Sequence, residues 1–414
     1  MLGMERAFFE ENRQALRATF EARVQKLLDE WESSSDRVRA LERRRKVAIG
    51  LITFYGLVTL MVREGRDAEG KWVRPSAEHF GLRPKQTYSP EMEKRLAMFA
   101  VEAGSYEKAA GLAEGTWLPT SDDAVRTLTL RLAAVAPERP PSEVCQVAAR
   151  SEDTLIVMAD GWNARHRGEN WGRDKEDREL PDRVHWHEIR SAVLFKLSAL
   201  LAVSGKRKAL MDKHIVAVPA ETSPYDFGLH LQQEMARMGS TRAKAVFFVM
   251  DGGVWLWNLF TDRFEKCSMA MLDFYHLSQH LHALAEALHS GAPEKARAWC
   301  AGILHDLKHK SPVRLFRTLD ELLREPPSCS AELLEVIQDQ NAYFRKHEKH
   351  MDYAANAALG VPIGSGSVES LCSQLQDRLK RTGQFWTKEG FASILLLIVR
   401  YRNRELDSLW QVVA

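Results

Sequence analysis

Two short apolar runs near the middle of the chain each end in an aspartate followed by glycine. Residues 154–159 lead into Asp160, and residues 245–250 lead into Asp251. Runs of this length, rich in β-branched and aromatic residues, predict strands buried on both faces. Further strands are predicted near 189–196 and 214–218. A carboxylate at the end of a central strand emerges at the edge of the sheet, where it can meet a metal ion without crossing the core.

Helical periodicity dominates the N-terminal third. Residues 4–31 form an amphipathic pattern that predicts one helix, which either packs on its own domain or offers a short coiled-coil face to a second copy. Residues 89–136 predict further helices, the last capped by Thr120 or Ser121. Two short helices joined by a tight turn fit a helix-turn-helix, and a generic helical hairpin is the alternative.

The stretch from Phe274 to about Ala357 is helical and has no strand signal, which predicts an all-α insertion. A Gly- and Ser-rich turn follows and leads into another helix. Ser367 is a candidate N-cap for this helix, so Glu369 falls in the first turn, where the helix dipole favours negative charge. The chain thus presents two strand aspartates and then a helix glutamate.

These three carboxylates suit one kind of chemistry. Carboxylate oxygens are the ligands that Mg²⁺ prefers, and two ions roughly 3.5–4 Å apart assist in-line attack on a phosphodiester. Either aspartate alone is more simply explained by an Asx turn with the glycine that follows it. The pair together with Glu369 favours a metal site.

Composition sets limits on this interpretation. The 414 residues carry a net charge of only +2, so any contact with nucleic acid has to come from local basic patches. No apolar run is long enough to span a membrane and no secretory signal opens the chain, which predicts a cytoplasmic protein without a membrane partner. The five cysteines are scattered without a Cys-x-x-Cys pair, so a disulfide scaffold or a zinc ribbon is not expected.

Several short motifs occur in a fixed order along residues 45–405, and together they resemble the DDE transposases of the bacterial ISKra/ISLre-like insertion-sequence group. They are Ala159-Asp160-Gly161, Asp251 to Trp257, Leu272 to Leu277 with His280, Gly360 to Ser370, and Arg378 to Trp386. The resemblance implies an α/β chain with an RNase H-like mixed-sheet core. It implies Asp160, Asp251 and Glu369 as catalytic ligands of two Mg²⁺ or Mn²⁺ ions.

The resemblance also divides the chain into five segments. These are 1–88 (helical, basic, a candidate for oligomerisation), 89–140 (helix-turn-helix-like and DNA-binding), 141–273 (the N-terminal core segment), 274–357 (the all-α insertion) and 358–414 (the C-terminal core segment). Relatives often carry a zinc-ribbon-like element where this chain has residues 65–74 without cysteine. We therefore expect no structural zinc.

Other side chains have two interpretations each. His276 and His280, one turn apart, could bind zinc, but a supporting role for Asp273 and His276 beside the metal ligands is preferred. Basic residues at Arg378, Lys380, Arg381, Lys308 and Lys310 either contact DNA phosphates or form a solvated face. Trp299 and Trp386 either pack in the core or stack on a flipped base. Trp255 and Trp257 are predicted to lie in the core on a strand returning from Asp251.

The expected function is a transposase that cleaves element ends and joins the 3′-hydroxyl to target DNA. Its partners are expected to be double-stranded DNA, namely terminal inverted repeats and target, and further copies of itself in a homodimer or larger synaptic complex. The bacterial cytoplasm, with nucleoid association when DNA is bound, is the expected location. Two alternatives remain, a catalytically silent DNA-binding regulator and an RNase H-like nuclease that does not transpose.

Overall fold

A computed structural model describes residues 1–116, 118–136, 153–172, 182–204, 207–325 and 330–410. The chain divides into two compact units. The first comprises Met1–Glu138 with Leu396–Ala414, and the second comprises Arg139–Leu395. Residues 396–414 thus group with the first unit, whereas the sequence placed them with the C-terminal core segment.

The first unit begins with a long helix beside a β-hairpin. Its leading elements are α1 (Leu2–Ser34), α2 (Asp36–Arg39), β1 (Glu42–Thr53), β2 (Gly56–Arg66), β3 (Trp72–Val73) and α3 (Pro75–His79). The three strands form an antiparallel sheet in the order β1-β2-β3. Leu28 of α1 is fully buried against Leu51, Val58 and Leu60 of the hairpin. The helix predicted over 4–31 is present, but the hairpin beside it was not predicted.

Helix α1 also protects the sheet edge. The Gln25 side chain accepts from the Met61 N–H at 2.7 Å and donates to the Met61 carbonyl at 2.9 Å. Glu21 accepts from the Thr59 N–H at 3.0 Å. Side chains of α1 therefore form hydrogen bonds with backbone groups of β2 that could otherwise pair with another β-strand.

Three further helices complete the N-terminal region of this unit, α4 (Pro90–Glu102), α5 (Tyr106–Gly115) and α6 (Asp122–Ala134). Each begins after a serine whose hydroxyl accepts a backbone N–H of the first turn. The cap of α6 is Ser121, one of the two predicted residues, at 3.2 Å from the Ala124 nitrogen. The three helices pack on one another through buried residues including Leu96, Ala109 and Leu132.

The second unit is built on a five-stranded mixed sheet. Its strands are β4 (Thr154–Arg167), β5 (Val184–Lys196), β8 (His214–Ala217), β9 (Ala245–Met250) and β10 (Met269–Leu272). Their order is β10-β9-β4-β5-β8, with β4, β9 and β10 parallel and β5 antiparallel to both neighbours. A separate hairpin joins β6 (Leu200–Ser204) and β7 (Arg207–Leu210).

The core lies around the central strand β4. Residues 155–159 are at most 1% exposed, as their uninterrupted apolar sequence predicts for a strand covered on both faces. Helices α7 (Pro224–Arg237) and α8 (Val254–Arg263) belong to this core, and α14 (Gly366–Leu379) packs on β4 and β5. Helix α15 (Lys388–Arg402) follows, and the chain enters the first unit within it.

The described part of the segment between β10 and α14 contains helices and connecting turns but no strand. It contains α9 (Phe274–Leu288), α10 (Pro293–His309), α11 (Val313–Arg324), α12 (Ala331–Lys346) and α13 (Tyr353–Ala358). No described helix is long and apolar enough to cross a membrane.

Two local predictions were wrong. Strand β4 does not end at Asp160 but continues seven residues further, because β5 pairs with it as far as Arg167. Trp255 and Trp257 lie on helix α8, not on a returning strand. The reason is local, since the Asp251 carboxylate accepts the Gly253 N–H at 2.9 Å and the helix begins at the next residue.

Candidate active site

Parallel pairing of β4 and β9 brings two aspartates to the same position along the sheet. Ala159 pairs with Met250 in the last register of this ladder, so Asp160 and Asp251 follow side by side. Asp160 lies within β4, and Asp251 directly follows β9. The two aspartates are neighbours because of this register. The prediction had placed both at the ends of their strands, but β4 continues beyond Asp160.

The Asp160 carboxylate is partly buried. It accepts the Gly161 N–H at 2.7 Å and interacts with the Cys372 thiol from helix α14. Burial raises the pKa of Asp160, and the neighbouring negative charge of Asp251 raises it further. Burial, together with Asp160 and Glu369, also raises the pKa of the Cys372 thiol, which therefore stays protonated and able to donate.

Two aromatic side chains, Trp257 and Tyr343, pack against the segment that carries Asp251. The Trp257 indole donates to the Asp251 carbonyl at 2.6 Å, and Gly252 lies against the Tyr343 ring. Tyr343 stacks on His280 with ring centroids 3.8 Å apart. Burial raises the pKa of the Tyr343 hydroxyl, and the charges of Asp251 and Asp273 contribute. The phenol is thus held neutral beside the carboxylates.

Glu369 lies in the first turn of α14, as predicted, although the helix starts earlier than predicted. Its N-cap is Ser365, not Ser367. The Ser365 hydroxyl donates to Glu369 Oε1 at 2.9 Å, and His276 Nε2 lies 3.9 Å from the same oxygen. Half of the Glu369 side chain is exposed, so the carboxylate can meet a ligand from solvent.

A third aspartate, Asp273, is fully buried and holds this arrangement together. Its Oδ1 accepts the N–H groups of Tyr275 at 2.5 Å and His276 at 2.9 Å, which starts helix α9. Its Oδ2 accepts the Ser365 N–H. The same side chain therefore positions both His276 and the cap residue that binds Glu369.

The donor set is chemically suited to a divalent cation. Asp160 and Asp251 are adjacent carboxylates whose mutual repulsion a cation would relieve. Glu369 is linked to Asp160 through the intervening Cys372. Within the described ranges, however, no three His, Cys, Asp or Glu side chains are placed so as to hold one ion. The shared-metal triad therefore stays a prediction.

The predicted DNA-contacting residues differ in accessibility. Arg378 is only 6% exposed, and its guanidinium lies 5.5 Å from the Trp386 ring, so it is not available at the surface. Lys310 pairs with Asp306 at 2.9 Å, and Lys308 lies over the Phe274 ring. Lys380 and Arg381 are more accessible.

The two candidate base-stacking tryptophans also differ. Trp386 is buried and donates to the Leu379 carbonyl at 2.8 Å, which supports its packing role. Trp299 is partly buried and its ring lies 6.3 Å from that of His289.

Sequence reasoning did not find Ser365, Tyr343 or Cys372. Helical spacing carried a signal for two of them, since Ser365 and Cys372 lie four residues before and three residues after Glu369. Tyr343 comes from α12, far away in sequence, and no local pattern marks it.

No family model matches the sequence, and no curated protein matches it either. Among solved structures, the chain is similar to the Drosophila P element transposase strand transfer complex at 12% identity and a TM-score of 0.40. That match covers 78% of this chain and 94% of the other.

Proposed function

We propose that this chain is a DDE-type DNA transposase with an RNase H-like core, which cleaves transposon ends and joins the resulting 3′-hydroxyl to target DNA. The observation that carries the proposal is the side-by-side placement of Asp160 and Asp251 on parallel strands β4 and β9. The strand order and directions of the five-stranded sheet support the RNase H-like assignment.

In this proposal Asp160, Asp251 and Glu369 hold the metal ions. Two bound Mg²⁺ or Mn²⁺ ions would supply activation of the attacking oxygen and stabilisation of the leaving oxygen. Ser365 and His276 orient Glu369, since both lie against its Oε1. The Cys372 thiol, protonated because burial raises its pKa, donates toward Asp160 and positions that carboxylate. Asp273 positions His276 and Ser365, because its carboxylate accepts the backbone N–H of each.

Two other functions use the same residues differently. A catalytically silent regulator would bind DNA without cleaving it, and the exposure of Glu369, together with the side-by-side placement of Asp160 and Asp251, supports chemistry instead. An RNase H-like nuclease without transposition would cleave with no preference for element ends. The helices α5 and α6 favour end recognition if they act as a helix-turn-helix.

The deciding experiment uses a DNA fragment that carries the sequences flanking the coding region, with Mg²⁺ or Mn²⁺ present. Asp160→Asn should abolish cleavage and leave DNA binding largely intact, because binding rests on other residues. Asp262→Asn is the matched control, since Asp262 is an exposed aspartate on α8 and should leave cleavage unchanged.

The outcomes separate the candidate functions. Cleavage at the flanks followed by joining to a second DNA supports the transposase. Cleavage without joining or end preference supports the nuclease, and binding without cleavage supports the regulator. Substantial cleavage by the Asp160→Asn protein would show that this ligand is misassigned.

A further inference from the structure

A row of interleaved aromatic and basic side chains lies where the far end of the β4–β5 hairpin meets the segment after α14, away from the carboxylates. Its members are Lys380, Trp186, Arg165, Phe385, Trp171 and Arg167, and we name them the aromatic–cation row. Arg165 lies over the rings of both Trp186, at 5.8 Å, and Phe385, at 4.9 Å. Lys380 lies 5.3 Å from the Trp186 ring and Arg167 lies 5.4 Å from the Trp171 ring.

Two of the rings face solvent although they are large and apolar. Trp186 is 58% exposed and Trp171 is 38% exposed. The row is nevertheless held firmly in place. Trp386 fixes the segment that carries Phe385 by pairing with β4, its nitrogen donating to the Arg165 carbonyl and its carbonyl accepting the Arg167 N–H. Strand pairing therefore positions Trp186 and Phe385, while Trp171 lies in the turn that follows β4.

The three cations of the row donate to uncharged oxygens. The guanidinium of Arg165 donates to the carbonyls of Lys380 and Arg381, and that of Arg167 donates to the Phe385 carbonyl. Lys380 donates to the Gln376 amide oxygen at 3.2 Å. Among the residues that the structure describes, none of these three cations forms an ion pair with a carboxylate. Hydrogen bonds of this kind orient the cations, and oriented cationic donors suit an anionic ligand.

We propose that the aromatic–cation row binds an unpaired stretch of DNA strand, with bases stacked on Trp186 and Trp171 and phosphates next to Arg165, Arg167 and Lys380. Unpaired bases are needed because the faces of paired bases are covered by their neighbours in the duplex. Exposed rings interleaved with cations are the combination by which proteins hold single strands without reading their sequence.

This inference deepens the proposed function, on which it rests for its placement beside a cleavage site. Arg165 lies five residues beyond Asp160 on β4, about 17 Å along a strand. Lys380 lies eleven residues beyond Glu369 on α14, also about 17 Å along a helix. Either path equals the length of about five base pairs. Arg165 points to the opposite face of β4 from Asp160, because side chains of a strand alternate. A DNA strand that reaches the row must therefore leave the straight path of a duplex.

The test measures the affinity of the full chain for a labelled 20-nucleotide oligothymidine and for a duplex of the same length, with a chelator present. Chelation removes any contribution from cleavage. Trp186→Ala and Trp171→Ala should each weaken single-strand binding by about 5- to 150-fold, as expected for one lost base stack. Duplex binding should change much less. Trp186→Phe should retain most of the single-strand affinity, because it keeps a stacking ring.

Trp72→Ala is the matched control. Trp72 is 42% exposed and also lies beneath two arginines, Arg45 at 4.9 Å and Arg66 at 5.7 Å. Arg45, however, is paired with the Glu64 carboxylate at 2.6 Å. Trp72→Ala should therefore leave single-strand affinity unchanged, whereas a loss as large as that of Trp186→Ala would overturn the assignment of the row.

The outcomes distinguish the two proposals. If Trp186→Ala and Trp171→Ala both keep the parental single-strand affinity, the proposal that the row binds unpaired DNA is refuted, even if the chain cleaves DNA. An equal loss of duplex and single-strand affinity would also refute it. If the variants lose single-strand affinity specifically but the parent protein never cleaves DNA, the single-strand binding role of the row is supported and the transposase proposal is refuted.

Discussion

Substituting Gly252 by alanine tests the packing behind Asp251. A Cβ atom added at Gly252 would lie 2.6 Å from both Cε2 and the hydroxyl oxygen of Tyr343. The Tyr343 ring has little room to retreat, because it stacks on His280 at 3.8 Å. Overpacking of this kind costs about 1–3 kcal/mol. For a unit of this size the melting temperature should fall by roughly 2–10 °C.

The same substitution should reduce cleavage, because the displaced ring forms the wall beside Asp251. Thermal unfolding and cleavage rates of the purified protein measure the two effects. Gly366→Ala is the control, since a Cβ there meets nothing within 4 Å and glycine is a poor helix residue. Combining Gly252→Ala with Tyr343→Leu should recover some of the lost stability. A Gly252→Ala protein that is as stable and active as the parent would refute the packing described here.

Four further substitutions have definite expected outcomes. Burial lowers the pKa of His347 from 6.5 to about 4, so the unfolded chain binds a proton that the folded chain does not, and stability is lost as pH falls from 6.5 to 4. Stability curves should show that His347→Leu removes about 3 kcal/mol of this pH dependence, and parallel curves would contradict the burial argument. Arg378→Met should lower the melting temperature, reflecting roughly 1–2 kcal/mol, without changing the salt dependence of DNA affinity, whereas Arg381→Gln should flatten that salt slope by up to about 0.9 if it contacts a phosphate. Asp273→Asn should lower the free energy of unfolding by about 1.5–3 kcal/mol for each hydrogen bond that the side chain no longer accepts. An unchanged melting temperature would show that the Asp273 carboxylate does not hold the start of α9 and the start of α14 in place.

Local sequence patterns predicted the elements whose signal is local. The apolar runs before Asp160 and Asp251, the serine cap of α6 and the first-turn position of Glu369 all depend on a few neighbouring residues, and the structure shows them. The continuation of β4 past Asp160 could not be found in this way. Residues 161–167 extend the strand because β5 pairs with them along this whole length, a contact that no local run of apolar residues marks.

The features that sequence reasoning missed have different origins. Tyr343 depends on long-range packing, since it reaches Gly252 from a helix about ninety residues further along the chain. The helical position of Trp257 has a local cause, because the Asp251 carboxylate starts helix α8. A Gly-Gly pair after a strand is compatible with a hairpin or with a helix start, so the sequence pattern alone did not separate the two.

The hydrogen bonds of Asp273 explain how a helical segment of more than eighty residues can interrupt the core while its two ends stay together. The Asp273 N–H donates to the Met250 carbonyl at 2.7 Å, which ties the start of the segment to the last residue of β9. Its carboxylate accepts the Ser365 N–H, and the Phe274 N–H donates to the Ile363 carbonyl, so both contacts reach residues just after the segment ends. The start and the end of the segment are therefore joined at one buried point, and the contacts of Glu369 with Ser365 and His276 do not depend on the length of chain between them.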